Sequence, residues 1–247
     1  MNNILISFII CVLSGLSTLI GYLFIYIKPK NINKFIGISL SFSATIMILI
    51  SLIELIPDGF KYLSDKYSFI FSFIILLFMI ITSYIINVFI NKSINKRSNS
   101  NLYKIGILSM IALMIHNLPE GILTFLTSSV DIKLGLKLAL AIMMHNIPEG
   151  IAIAVPIYYS TGSKYKAFKN TLLSGFSEPI GALLSYLFLY KFISNTMIGV
   201  ILLFVSGIMI TISINDIFEE ARKYSNKCIL LGFIMGLIFI ILTKIIF

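Results

Sequence analysis

The chain has no tryptophan, two cysteines, two histidines, six prolines and only ten acidic residues among 247. Each scarcity excludes something. Cys11 and Cys228 stand far apart and show no redox or zinc-finger spacing, so they read as buried small apolar residues rather than as a disulfide framework or a thiolate site. Two isolated cysteines also give no thiolate cluster for a soft ion such as Cu⁺. Tyrosines near span ends take the interfacial role that tryptophan often fills. Charged residues make up 12% of the chain and hydrophobic ones 58%, with a mean hydropathy of +1.02. That is far from the balance of soluble domains. The net charge of +9 does not indicate nucleic acid, because the lysines fall in short gaps between apolar runs, the pattern that orients membrane proteins.

What the chain has is long apolar runs. Eight can be marked, near 4–27, 35–57, 68–90, 105–127, 134–158, 168–190, 197–218 and 228–246. About 20 residues suffice to cross the ~30 Å hydrocarbon layer as a helix. Backbone in lipid must satisfy its own hydrogen bonds, so runs this continuous are helices rather than barrel strands. The expected fold class is an all-α integral membrane protein, a single domain over 1–247 with eight transmembrane helices. Lys and Arg number thirteen in one set of alternate gaps and six in the other. The richer set is assigned to the cytoplasm, which leaves both termini outside in a cell membrane, plasma or inner. Residues 91–104, rich in Asn, Ser and Lys, read as a flexible cytoplasmic loop.

The two histidines lie in a repeated phrase, His116-Asn117-Leu118-Pro119-Glu120-Gly121 and His145-Asn146-Ile147-Pro148-Glu149-Gly150, on consecutive spans. A carboxylate at the centre of a span costs about 2.5–3.5 kcal/mol on insertion scales, so intramembrane acids call for a function. His and Glu four apart share a helix face, and Asn117 and Asn146 lie beside it. Each proline opens the hydrogen bond to a carbonyl four residues earlier, at Ile115 and Met144. The short connection near 128–133 makes the two helices antiparallel, so the motifs face each other across a pseudo-two-fold axis near the midplane. A histidine, a carboxylate and an amide from each of two helices suit a first-row divalent ion such as Zn²⁺. One lone histidine or proline would read as packing, but two matched sets do not.

Further acids lie near prolines. Glu178 precedes Pro179 inside the sixth run and shares a face with Ser174. It would add a carboxylate to the same cavity, giving room for two metals with Glu149 between them. Glu54 and Asp58, flanking Pro57, lie toward the outward end of the second run and read as an entrance. Asp216, at the cytoplasmic end of the seventh, is an exit candidate.

The doubled His-Asn-x-Pro-Glu-Gly on the fourth and fifth spans, with Ser177-Glu178-Pro179-Ile180-Gly181-Ala182 on the sixth, resembles the ZIP (Zrt-, Irt-like protein) metal transporters, most closely their ZupT and GufA-like bacterial branch. The resemblance implies eight helices with outward termini, an inverted repeat of the first and last three, and homodimerisation. It further implies a binuclear centre: His116, Glu120, His145 and Glu149 at one metal, Asn117, Asn146, Glu149 and Glu178 at the other. The implied activity is uptake of Zn²⁺, and of Fe²⁺, Mn²⁺, Co²⁺ or Cd²⁺, toward the cytosol. The metal is cargo, not a prosthetic group. Two features depart from the family pattern: residues 91–104 contain no histidine, and the seventh run has Asn215-Asp216-Ile217-Phe218-Glu219 where the branch carries an acidic pair followed by proline. The rival readings are a divalent cation channel, which would need weak multi-site binding, an intramembrane metal hydrolase, which the lack of His-Glu-x-x-His and of a separate general base opposes, and a metal-sensing receptor, opposed by the lack of a soluble signalling domain.

Overall fold

A computed structural model describes residues 2–64, 66–95, 101–189 and 194–246. Among them the chain forms eight helical rods and no strand. The first, α1, runs through Asn2–Leu16 and Thr18–Tyr22 and tightens over Leu23–Tyr26. Next come α2 (Ile32–Ser64), α3 (Phe69–Asn95), α4 (Asn101–Val130) and α5 (Ile132–Thr161). The sixth rod, α6, comprises Lys164–Gly175, Ser177–Leu184 and Ser185–Leu189; α7 comprises Asn195–Ile212, Ser213–Phe218 and Glu219–Arg222; α8 is Asn226–Ile246. Seven of these rods, all but α6, are long and apolar enough to cross a membrane; α6 is interrupted at Phe176. The protein is a multi-pass membrane bundle.

Polar residues between the runs cap the helices. Asn31 accepts from Lys34 N at α2, Asp131 from Lys133 N and Leu134 N at α5, and Ser163 from Lys166 N at α6. Each satisfies donors that a helix start leaves orphaned. Gly162, with φ +66°, ends α5 in the left-handed conformation that suits glycine. Asp131 alone separates α4 from α5, so the antiparallel pairing of the two motif helices is forced by the connection. The segment assigned above to a loop over 91–104 is helical at 91–95 and at 101–104. Polar side chains do not end a helix that carries its own backbone hydrogen bonds beyond the lipid. Residues 96–100, among them Lys96 and Arg97 of the orientation count, lie outside the described residues, as does Lys191.

The rods pack as two groups. In one, α4 lies against α5, α6 and α1, and α1 also lies against α5; in the other, α2 lies against α8 and α7, and α7 against α3. The groups meet mainly where α5 crosses α2 and α4 crosses α7. The most deeply enclosed rod is α5, whose Ile151 to Ile157 are all buried in the main apolar core. By contrast α3 and α8 present rows of bare apolar side chains, such as Phe73, Leu77 and Phe78, or Leu230, Ile234 and Ile238, as lipid-facing helices must.

Candidate metal centre

Both prolines lie inside unbroken helices, so each motif keeps helical spacing and His116 Nε2 meets Glu120 Oε1 one turn on, at 3.1 Å. Across the α4–α5 interface His145 Nε2 approaches the same oxygen at 3.0 Å, and His116 Nε2 lies 3.3 Å from Glu149 Oε1. His116, Glu120 and His145 offer ligand atoms all within 4.8 Å of one another. A tetrahedral zinc with bonds of about 2.0–2.1 Å has ligand-to-ligand edges of about 3.3 Å, close to these separations. Gly121 and Gly150, which carry no side chain, let α6 and α1 close in on the two motif helices. A Cβ on Gly121 would run into the carbonyl oxygen of Glu178 on α6, and one on Gly150 into that of Thr18 on α1.

A second cluster adjoins the first. Asn146 Nδ2 donates to Glu178 Oε1 at 2.5 Å and to Ser14 O at 3.0 Å, tying α5 to α6 and α1. The Asn117 amide nitrogen donates to Leu113 O at 3.0 Å and to Glu149 Oε2 at 3.1 Å. Glu149 thus reaches His116 with one oxygen and the Asn117 amide with the other.

The residues fit a divalent cation. Glu120, Glu149 and Glu178 are 5%, 1% and 0% exposed, and the side-chain ion pairs of Glu120 and Glu149 among the described residues are with histidine only. Buried carboxylates without a cationic partner are costly. Glu120 Oε2, Glu149 Oε1, Glu178 Oε2 and Asn146 Oδ1 are buried without a hydrogen-bond partner, a set of oxygens a cation would satisfy.

The remaining sequence candidates lie at the two ends of the bundle. Glu54 and Asp58 line a cavity of about 270 Å³ that also touches Lys137, Met144, His145 and Lys244. It reaches the centre itself, and Lys244 Nζ binds Glu54 Oε1 at 2.8 Å. Asp216 lies at the other end in a cavity of about 190 Å³ with Lys104, Glu219 and Glu220, and accepts from Asn87 Nδ2 at 2.8 Å. That cavity is lined by none of the centre's residues. Both acids sit in short stretches of wider, π-helical turn, Ser51–Leu55 and Ser213–Phe218. Such turns re-aim side chains at functional sites. Ser51, Glu54 and Asp58 match Ser213, Asp216 and Glu220 at an offset of 162, a repeat that the reading of the doubled histidine motif passed over. Lys137 and Lys244 were also missed as neighbours of Glu54, because nothing local in the sequence brings α5, α8 and α2 together.

The fold and the buried cluster define a class: a multi-pass membrane protein with a histidine and carboxylate cluster that could hold a metal ion inside its helix bundle. A family model described as ZIP Zinc transporter matches residues 95–243. Proteins described as zinc transporter ZupT are similar over nearly the whole length. That of Oceanobacillus iheyensis is 36% identical over 92% of this chain and 91% of its own. That of Streptococcus mutans serotype c is 36% identical over 100% and 99%, and that of Clostridium perfringens 32% identical over 100% and 98%. The chain belongs to the ZIP zinc transporter family. It is a transporter of divalent metal and not an enzyme, and the metal is its substrate rather than a resident cofactor.

Proposed function

We propose that this chain carries Zn²⁺, and with it Fe²⁺, Mn²⁺, Co²⁺ or Cd²⁺, toward the cytosol through a two-metal centre between α4 and α5. Its observation is the convergence of His116 and His145 on Glu120 Oε1 amid buried carboxylates that have no lysine or arginine partner among the described residues. The ligand sets are His116, Glu120, His145 and Glu149 for one ion, and Asn117, Asn146, Glu149 and Glu178 for the other, with Glu149 between them. The protein lies in the plasma or inner membrane with both termini outside, works as one domain over 1–247, and forms a homodimer. Residues 91–104 connect α3 and α4 on the cytoplasmic side.

An ion enters by the cavity at Glu54 and Asp58, a route supported by the presence of His145 in the lining of that cavity. Glu120 accepts it between the two imidazoles. Binding requires neutral histidine and ionised glutamate, so protons leave as the metal arrives. The group α1, α4, α5 and α6, which holds every ligand, then shifts against α2, α3, α7 and α8 and brings the centre toward Asp216. Radioactive zinc flux into proteoliposomes tests this. Saturable uptake, lost in Glu149→Ala and reduced by unlabelled Fe²⁺, Mn²⁺ or Cd²⁺, is expected; uptake preserved in Glu149→Ala at equal protein, or currents far above carrier rates, would overturn it.

A further inference from the structure

Residues 14–21 of α1 and 174–181 of α6 are two versions of one phrase. Ser14-Gly15-Leu16-Ser17-Thr18-Leu19-Ile20-Gly21 stands against Ser174-Gly175-Phe176-Ser177-Glu178-Pro179-Ile180-Gly181. The copies bend alike. Ser17 Oγ donates back to Ser14 O at 2.6 Å, Ser177 Oγ donates back to Ser174 O, and both helices are interrupted at the bend. They cross at Gly15 and Gly175, where a Cβ on either would strike the other's carbonyl oxygen. A motif asparagine, Asn146, donates to the bent carbonyl of Ser14. The two arms therefore match in backbone and differ where it matters chemically: α6 carries Glu178 where α1 carries Thr18.

Because only one arm has the carboxylate, only one corner becomes a binding corner. There Asn146 Nδ2 holds Glu178 Oε1 and Ser14 O together, so the Ser14 backbone and the Glu178 carboxylate share one donor. Three fully buried oxygens in this corner, Ser14 Oγ, Asn146 Oδ1 and Glu178 Oε2, have no hydrogen-bond partner among the described residues. They come from three helices, α1, α5 and α6, and they contain no nitrogen or sulfur.

We propose that Ser14 is an oxygen ligand of the second metal subsite, completing an all-oxygen set with Asn146 and Glu178 that sets acceptance of ions harder than Zn²⁺. This rests on the two-metal reading above and adds to it a residue from α1. The first subsite, with two imidazoles, favours zinc; an oxygen-only corner suits Mn²⁺ better. A neutral hydroxyl adds a ligand without adding charge, so three carboxylates serve both ions. The corresponding hydroxyl of Ser174 is buried too, but the arm that crosses it carries Thr18 where α6 carries Glu178, so no such role is assigned to it.

The test compares the full-length purified protein with Ser14→Ala, Ser14→Cys and Ser174→Ala. Ser14→Cys is nearly isosteric and exchanges a hard donor for a soft one. It is expected to gain a Cd²⁺–thiolate charge-transfer absorption above that of the wild type, whose Cys11 and Cys228 are common to both, and to be inhibited more strongly by Cd²⁺ in zinc flux. In Ser14→Ala, competition by Mn²⁺ weakens about tenfold, the lower edge of what losing a supporting group at a metal site costs, while zinc uptake changes less. Ser174→Ala keeps the wild-type ion order. No new absorption in Ser14→Cys, or an unchanged ion order in Ser14→Ala, in a preparation whose wild type moves zinc, overturns the role of Ser14 and leaves the transport reading standing. A wild type that neither binds nor moves zinc overturns both.

Discussion

His145 Nε2 lies 3.0 Å from Glu120 Oε1, a contact from α5 to α4 across the antiparallel pair. His116 meets the same oxygen from within its own helix at 3.1 Å, so the two motifs share a single acceptor. Sharing of this kind makes the centre fail as a unit when the acceptor is removed. Glu120→Gln keeps the shape of the side chain and discards its charge. Zinc affinity should fall at least ~10-fold, the scale on which even supporting groups matter at metal sites, while the detergent-solubilised protein stays folded. Isothermal titration with zinc beside a melting curve checks this, and wild-type affinity in the variant would be the contrary result.

Protons compete for the same atoms. Bound metal requires the imidazoles neutral and the carboxylates ionised, so protonation opposes binding and metal uptake releases protons. Zinc affinity is therefore expected to fall steadily as pH drops from about 7.5 to about 5.5, across the ordinary histidine range. Equilibrium binding at fixed ionic strength measures it. Affinity that is flat or rises toward acid would mean that the histidines are not ligands.

The apolar helices and the doubled motif were legible because hydropathy and the four-residue helical spacing are local properties. The one-residue link at Asp131 completes the inference, since it leaves α4 and α5 no arrangement but antiparallel. What stayed hidden depends on how distant helices cross. That Asn146 holds Glu178 follows from the approach of Gly15 to Gly175 and of Gly150 to Thr18, which no spacing rule specifies. The Lys244–Glu54 pair joins α8 to α2 across nearly the whole chain length. Helix ends shifted because the polar residues flanking each run, Asn91 to Asn95 for example, keep the helical backbone in water as readily as in lipid.

Close packing at the motif glycines gives a stability test. Gly121→Ala places a Cβ where the carbonyl oxygen of Glu178 stands, so α4 and α6 must separate. Overpacking of this sort costs about 1–3 kcal/mol, and the displacement also moves Glu178. A lowered melting temperature together with reduced zinc flux is expected. Gly150→Ala should behave likewise against Thr18. Wild-type stability in both variants would show that the helices have slack there.

The entrance has an electrostatic signature. Lys244 and Glu54 are 49% and 33% exposed in their side chains, so their ion pair contributes little to stability, on the order of 0–1 kcal/mol. It does occupy the carboxylate proposed to meet an incoming cation, and Lys137 lines the same cavity. Lys244→Met is expected to lower the KM for zinc at low ionic strength, with the difference shrinking as salt screens the charges. Flux measured against zinc concentration at two salt levels decides it; an unchanged or higher KM would show that Glu54 takes no part in capture.

The most direct measurement on the centre itself is zinc X-ray absorption on the purified, zinc-loaded protein, compared with Glu120→Gln. Imidazole and carboxylate ligands at about 2.0–2.2 Å, no sulfur at about 2.3 Å, and loss of this signal in the variant are the expected result. Sulfur in the first coordination shell, or a signal unchanged by Glu120→Gln, would place the zinc elsewhere and contradict the assignment of the paired motifs as the metal centre.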